Sequence, residues 1–227
     1  VQLQRISADW DCPVVVAATG PSLTPDVAAK VRRARWPDAK CRVIAVNDAY
    51  RLLPYADVLY ACDEKWWRLH IESVRELFHG ELWSSHEGPP GTTNDKTGMA
   101  DLGVRFVSGR HSDSFSSDPA RIHYGSNSGF QALNFALLKG AKRVILVGFD
   151  MRGRGHFFGD HPEPLHNRSN YDAFLPEFRQ AAKRCTVPIL NATPGSALDC
   201  FPMVTLEDAL ADDRVRWDRT EPQAGAA

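Results

Sequence analysis

Pro13 to Ala18 is a short unbroken apolar run rich in Val, closed by Thr19-Gly20-Pro21-Ser22. An apolar run of that length, bounded by turn residues, predicts a strand buried on both faces. Ser22 or Thr24 can cap the next segment and Pro25 suits a first helical turn, so a helix is expected from Pro25 to about Arg35. The pattern then repeats. Arg42 to Val46 and Val58 to Ala61 read as strands ending on Asn47-Asp48 and on Asp63, while Glu64 to Phe78 carries Trp67, Ile71, Val74 and Phe78 at roughly helical spacing. Glu81 to Ser84 and Val104 to Val107 are weaker strand candidates.

Farther on, Ser128 to Lys139 is apolar around most of its circumference, which requires a helix buried on several sides, with Gly140 as its C-terminal cap. Arg143 to Val147 is another buried strand, terminated by Gly148-Phe149-Asp150. Tyr171 to Arg184 reads as a helix, Pro188 to Leu190 as a last strand and Leu206 to Leu210 as a short final helix. Strands alternating with helices predict an α/β fold, a Rossmann-like three-layer α/β/α arrangement on a mostly parallel sheet. The 227 residues suit one domain, expected over 1–219, with 220–227 a disordered tail short of bulky apolar residues.

Three stretches break the pattern. Ser85 to Gly103, with Pro89-Pro90-Gly91, reads as an exposed excursion, and His111 to Pro119, with four serines and two aspartates, as a polar loop. Either could serve as a lid over a ligand. His156 to Asn170 is polar, holds two prolines and reads as irregular.

Composition narrows the function classes. Lys plus Arg total 27 against 28 Asp plus Glu, so no overall positive field favours nucleic acid or anionic lipid. The five cysteines are odd in number and form no C-x-x-C pair, which argues against a disulfide framework and a zinc ribbon; Cys62, in an apolar run, is expected in the core. No apolar stretch reaches the ~20 residues of a membrane helix and the start lacks a signal-peptide layout, so a cytoplasmic protein without a membrane span is expected. A first residue of Val rather than Met points to a processed or trimmed start.

In an open parallel sheet, ligands sit beyond the carboxyl ends of the strands, where helix N-termini present free N–H groups. The candidate binding residues gather at those ends: Gly20, Pro21 and Ser22, then Asn47, Asp63 and Asp150, with Ser126, Asn127, Ser128 and Gly129 opening the buried helix. Thr19-Gly20-Pro21-Ser22 lacks the later glycines of a dinucleotide fingerprint and the Gly-Lys-Ser/Thr of a P-loop, which disfavours NAD and P-loop ATP chemistry. His156, His161 and His166 recur every five residues with Asp160 among them, and imidazole suits proton transfer near neutral pH. A metal site is the rival reading of these histidines, although their spacing matches no standard ligand pattern. Trp66-Trp67 could stack on a base or sugar, with Trp67 the better core candidate, and Tyr124 and Tyr171 could donate to a phosphate oxygen.

Taken together, the strand into Gly20-Pro21-Ser22-Leu23, the strand into Asn47, Ser126-Asn127-Ser128-Gly129 opening an Ala-containing helix, and Gly140-Ala141-Lys142-Arg143-Val144-Ile145-Leu146-Val147-Gly148-Phe149-Asp150 resemble the bacterial sialyltransferases of glycosyltransferase family 42. They are also similar to a related set that includes the archaeal 6-hydroxymethyl-dihydropterin pyrophosphokinases and flagellin-glycosylation accessory proteins, and to proteins carried in phage genomes. The resemblance spans roughly residues 13 to 202. It implies that Gly20, Pro21, Ser22, Asn47, Ser128 and Gly129 hold the cytidine nucleotide of a CMP-sugar and that His166, or else His161, is the catalytic base. The chain departs from the sialyltransferases in having Phe157 and Phe158 where two tyrosines are expected. Ala61-Cys62-Asp63 stands closer to the pyrophosphokinase set.

The expectation is therefore a transferase using a nucleotide-activated donor, a glycosyltransferase first, needing no cofactor beyond that nucleotide-sugar substrate and acting on an unspecified acceptor. The alternatives are a magnesium-dependent pyrophosphokinase or nucleotidyl transferase using Asp63 and Asp150, and a non-catalytic nucleotide-binding or phage assembly protein. An oligomer is compatible with any of them.

Overall fold

Strand β1 (Pro13–Ala17) is the pivot of the chain, and the elements that follow are laid out to one side of it and then to the other. The computed structural model describes residues 2–36, 40–87, 99–153, 155–161, 163, 165 and 169–211; His166 and the tail 220–227 lie outside them. After β1 come α1 (Pro25–Arg35), β2 (Arg42–Val46), a 3-10 turn (Asn47–Arg51), β3 (Val58–Tyr60), α2 (Glu64–Leu77), β4 (Glu81–Glu87), β5 (Val104–Arg110) and β6 (Arg121–His123). Helix α3 (Ser128–Leu138) leads to β7 (Arg143–Val147), then α4 (Tyr171–Ala182), β8 (Ile189–Asn191) and α5 (Leu206–Ala211). The strand order is β6-β5-β4-β3-β2-β1-β7-β8, and all neighbours pair parallel.

Alternation along the strands explains the layers, because successive side chains leave opposite faces of a sheet. Val15, Ala17, Val43, Ala45, Ile145 and Val147 pack with Val31 of α1, Trp67 and Val74 of α2 and Leu206 of α5. Val14, Val16, Ile44, Val46, Val144 and Leu146 pack with Phe130, Leu133 and Phe135 of α3 and with Phe178 of α4. Both faces of the central strands are thus covered, which is why they read as continuous apolar runs. The chain has a Rossmann-like α/β fold. Among the described residues, no helix is long and apolar enough to cross a membrane.

Three expectations need correction. The weak strands become the seven-residue β4 and β5, and β4 takes in Ser85 and His86, which are buried rather than part of an exposed excursion. Polar residues hid this strand: Ser85 Oγ and Tyr60 OH both donate to Gln131 Oε1 of α3 at 2.8 Å, so these buried hydroxyls are satisfied. Strand β6 has three residues, too few for a period to register. The stretch His111–Pro119 is no lid, since Asn134 of α3 accepts from Ser116 N–H and donates to its carbonyl, both at 3.0 Å, and pins it to the helix.

Candidate functional site

The order of the sheet reverses between β1 and β7: β1 leads through α1 to β2 on one side, β7 through α4 to β8 on the other. Connections leaving in opposite directions open a crevice at the carboxyl ends of that strand pair. The two turns there interlock. Gly20 N–H donates to Gly148 O at 2.9 Å, and Asp150, 7% exposed, accepts from Ser22 Oγ at 2.7 Å and from Ser22 N–H at 3.3 Å. A side chain at position 20 would run into the Asp150 carboxylate and stand 2.5 Å from Gly148 O, so this turn needs glycine for a close approach.

Above the interlocked turns lies a cavity of about 270 Å³, near the lower end of the ~300–1,000 Å³ usual for small-ligand sites. Its walls come from the turn after β1 (Thr19, Gly20), the end of β2 (Asn47), the β3–α2 junction (Cys62, Asp63, Lys65, Trp66), the start of α3 (Ser126 to Gly129), the turn after β7 (Gly148 to Met151), His156, His161 and Leu165, and the start of α4 (Ser169, Tyr171, Phe174). Asn47, Ser126 and Met151 have φ of +48°, +58° and +50°, and they are the three non-glycine residues in the left-handed region among those described. All three line this one cavity. Such backbone strain collects where the surroundings hold a residue for binding or catalysis. Asn47 adds a second sign, because its buried Oδ1 has no hydrogen-bond partner among the described residues.

Helix α3 aims its N-terminus into the cavity. Asn127 caps it, accepting from Phe130 N–H at 2.8 Å and donating to Gly125 O at 2.6 Å, and this leaves the N–H groups of Ser128 and Gly129 without helical acceptors. Ser128 Oγ is occupied, accepting from Cys62 N–H at 3.1 Å and lying 2.9 Å from Cys62 Sγ. Cys62 is therefore half-buried on the cavity wall and not in the core.

On the wall formed by 155–161, His156 Nδ1 and Thr19 Oγ1 share a hydrogen bond of 2.9 Å, and Phe157 N–H donates to Thr19 O at 3.0 Å. The His156 and His161 rings are 4.5 Å apart, and Phe158 stacks parallel on His156 at 5.0 Å. Burial lowers both histidines from their ordinary pKa, with the neighbouring His161 adding to the effect on His156; Asp48 works against burial at both. Neutral imidazoles at neutral pH result, able to accept a proton.

Most of the residues predicted from the sequence meet in this cavity: Gly20, Asn47, Asp63, Ser126, Asn127, Ser128, Gly129, Asp150 and His161 line it. Pro21 and Ser22 do not, and Ser22 instead faces Asp150. His166 is outside the described residues. Asp63 occupies the N-cap position of α2 but makes no capping bond, so its exposed carboxylate is left to the cavity. Trp67 is core; Trp66 lines the cavity and donates from Nε1 to Asp48 Oδ2 at 2.7 Å. Tyr171 lines the cavity, whereas Tyr124 packs against Gly109 and His111 away from it. Sequence reasoning grouped His156 with His161 and His166 without ranking it as the base, and it placed Asp48 only as a polar strand end; the Thr19–His156 bond is the sign that would have ranked His156, and it joins residues 137 apart in the chain. Among the described residues, no group of three or more His, Cys, Asp or Glu side chains is arranged to hold a metal ion.

A parallel α/β sheet with a polar, strained cavity at its switch point defines a Rossmann-like protein, and that cavity is its candidate small-ligand site. Comparison with protein-family models and with curated proteins finds no match.

Proposed function

We propose that the cavity binds a nucleotide-activated donor and that the chain is a transferase, in the first place a glycosyltransferase using a CMP-sugar type of donor. One observation carries this reading: the open N-terminus of α3 at Ser128 and Gly129, an anion seat, shares a single cavity with two neutral imidazoles, His156 and His161. In this reading the leaving phosphate receives the α3 N–H groups, Asn47 Oδ1 accepts a donor group of the nucleotide, and His161 takes the acceptor hydroxyl proton as the sugar–phosphate bond breaks. Tyr171, which also lines the cavity, supplies a phenol where Phe157 and Phe158 cannot. The Gly20 turn contributes shape, because Asp150 engages Ser22.

A second reading is favoured by Asp63, a carboxylate on the cavity wall with no capping bond to make. It could meet the magnesium of a nucleoside triphosphate, as in a pyrophosphokinase.

A thermal-shift titration with CMP, CDP, UDP, GDP and ATP, each with and without magnesium, separates the readings, since a ligand of the native state raises apparent stability. Stabilisation by CMP without metal, weakened in Asn47→Ala, supports the transferase; stabilisation by ATP only with magnesium, lost in Asp63→Asn, supports the second. No response to any nucleotide sinks both and leaves a non-catalytic protein. If CMP binds, His161→Ala should keep that affinity and lose at least about 100-fold in transfer rate.

A further inference from the structure

Asp48 follows the strained Asn47 at the end of β2 and is 1% exposed. A carboxylate that deep requires partners. Trp66 Nε1 donates to Oδ2 at 2.7 Å, and the Arg51 guanidinium lies 2.9 Å from Oδ1 as an ion pair without hydrogen-bond alignment. His70 Nε2, 3.8 Å from Oδ1, is buried without a hydrogen-bond partner among the described residues.

Each of these partners extends the reach of Asp48. Trp66 is part of the cavity wall, and its ring packs on His70 at 4.8 Å and on Tyr50 at 6.1 Å. The Arg51 guanidinium sits over the Phe158 ring at 5.5 Å, a cation–π contact. Phe158 in turn stacks on His156 with an interplanar angle of 6° and meets His161 edge-on at 5.1 Å. One buried carboxylate therefore ties two walls that are distant in sequence.

We propose that Asp48 is the positioning residue of this site, holding the Trp66 wall directly and the His156–His161 pair through Arg51 and Phe158. This rests on the reading of those histidines as the proton acceptors of the proposed reaction. The charge of Asp48 acts on the same pair. His156 packs on His161 and is bonded to Thr19; the charge of Asp160 acts on His156, those of His70, Arg51 and Asp63 act on His161, and the anion common to both rings is Asp48. An imidazole pressed toward neutrality by burial is a weak proton acceptor, and a fixed carboxylate behind it stabilises the imidazolium that forms.

Asp48→Asn keeps an oxygen for Trp66 Nε1 and removes the charge. Histidine titrations followed by NMR in the ligand-free protein should then show His156 and His161 both titrating at lower pH than in wild type. With donor and acceptor present, kcat should fall about ten-fold or more while nucleotide affinity stays within about three-fold, and the acidic limb of the rate profile should move to lower pH. Unchanged titration of both rings in folded Asp48→Asn overturns the proposal. Arg51→Met is the second variant, because it leaves the Asp48–Trp66 bond intact; removing its cation should move the His161 titration up and loosen the Phe158–His156 stack, seen in ring-current shifts. Neither change appearing also overturns the proposal. Both readouts need no ligand, so failure of the nucleotide reading, which is seen in binding, is distinguished from failure of this one.

Discussion

The two ends of the sheet treat their charges in opposite ways. At the amino end, Asp57 accepts from Arg35 at 2.7 and 3.2 Å, from Arg42 at 2.8 Å and from Val43 N–H at 2.8 Å. Burial opposes its charge, yet these donors outweigh burial and hold the carboxyl below the usual carboxylate range. A groove of about 660 Å³ lies beside it, lined by Arg35, Asp57, Glu81 and Arg105, and there Arg105 pairs with Glu81 at 2.6 Å. At the carboxyl end the cavity is smaller, but among the described residues it keeps an Asn47 Oδ1 without a hydrogen-bond partner, an Asp63 at an N-cap position that makes no capping bond, two neutral histidines and all three left-handed non-glycine residues. Volume is therefore a poor guide to the site. Closed ion pairs hold a fold together, whereas polar groups held in place without partners are what a ligand can complete.

The sharpest way to break this contrast is to damage the closed end. Asp57→Ala leaves Arg35 and the Val43 N–H without their acceptor and should lower stability by roughly 3 kcal/mol in urea denaturation, at the low end for a broken buried pair because Arg42 reaches solvent. Nucleotide-induced stabilisation, measured as the difference between bound and free protein, should be unchanged. A loss of binding there would mean that the two ends are not independent.

Gly20→Ala tests the open end through its shape. The added methyl meets Asp150 and Gly148 O, so about 2 kcal/mol of stability should go together with nucleotide binding. Asn47→Gly is expected to separate the two. It removes both a left-handed side chain and a buried unsatisfied acceptor, so stability should rise by up to about 1 kcal/mol while nucleotide affinity falls roughly ten-fold. A destabilised Asn47→Gly would show that Asn47 serves the fold.

The smallest effect is in the pH dependence, where the two ends should respond in separate windows. His70, His123, His156 and His161 are lowered by burial from 6.5, so the unfolded chain takes up protons first as pH falls below 6.5, and stability declines there. Asp57 is lowered from 3.8, so its contribution is present above that value and is lost only as pH falls through the folded pKa below it. The paired substitution His156→Gln/His161→Gln should make the first decline shallower, leaving the share of His70 and His123, and should not touch the second; Asp57→Asn should remove the second and leave the first. Denaturation midpoints from pH 7.5 downward read both.

Much of this was legible along the chain, for identifiable reasons. Valine-rich runs such as Pro13–Ala17 and Arg143–Val147 announce strands buried on both faces, and the polar residues that close them land at one end of the sheet because every strand is parallel. That is why Gly20, Asn47, Asp63, Asp150 and the Ser126–Gly129 turn could be grouped before their places were known. Strand β4 was foreshortened because Ser85 meets Gln131, a partner 46 residues away. Asp48 was passed over for the same kind of reason: it looks like one more polar residue at a strand end until Arg51, Trp66 and His70 surround it.

By itself, then, the sequence determined the layers, the parallel sheet and the end at which polar groups collect, since these follow from local periodicity and from where each apolar run stops. Only the tertiary structure decided that Ser22 turns to Asp150, that His156 is bound to Thr19, and that Cys62 and Trp66 reach the cavity. Those are contacts between distant segments, and whether a polar group ends up partnered or open depends on what the fold brings against it rather than on its neighbours in the chain.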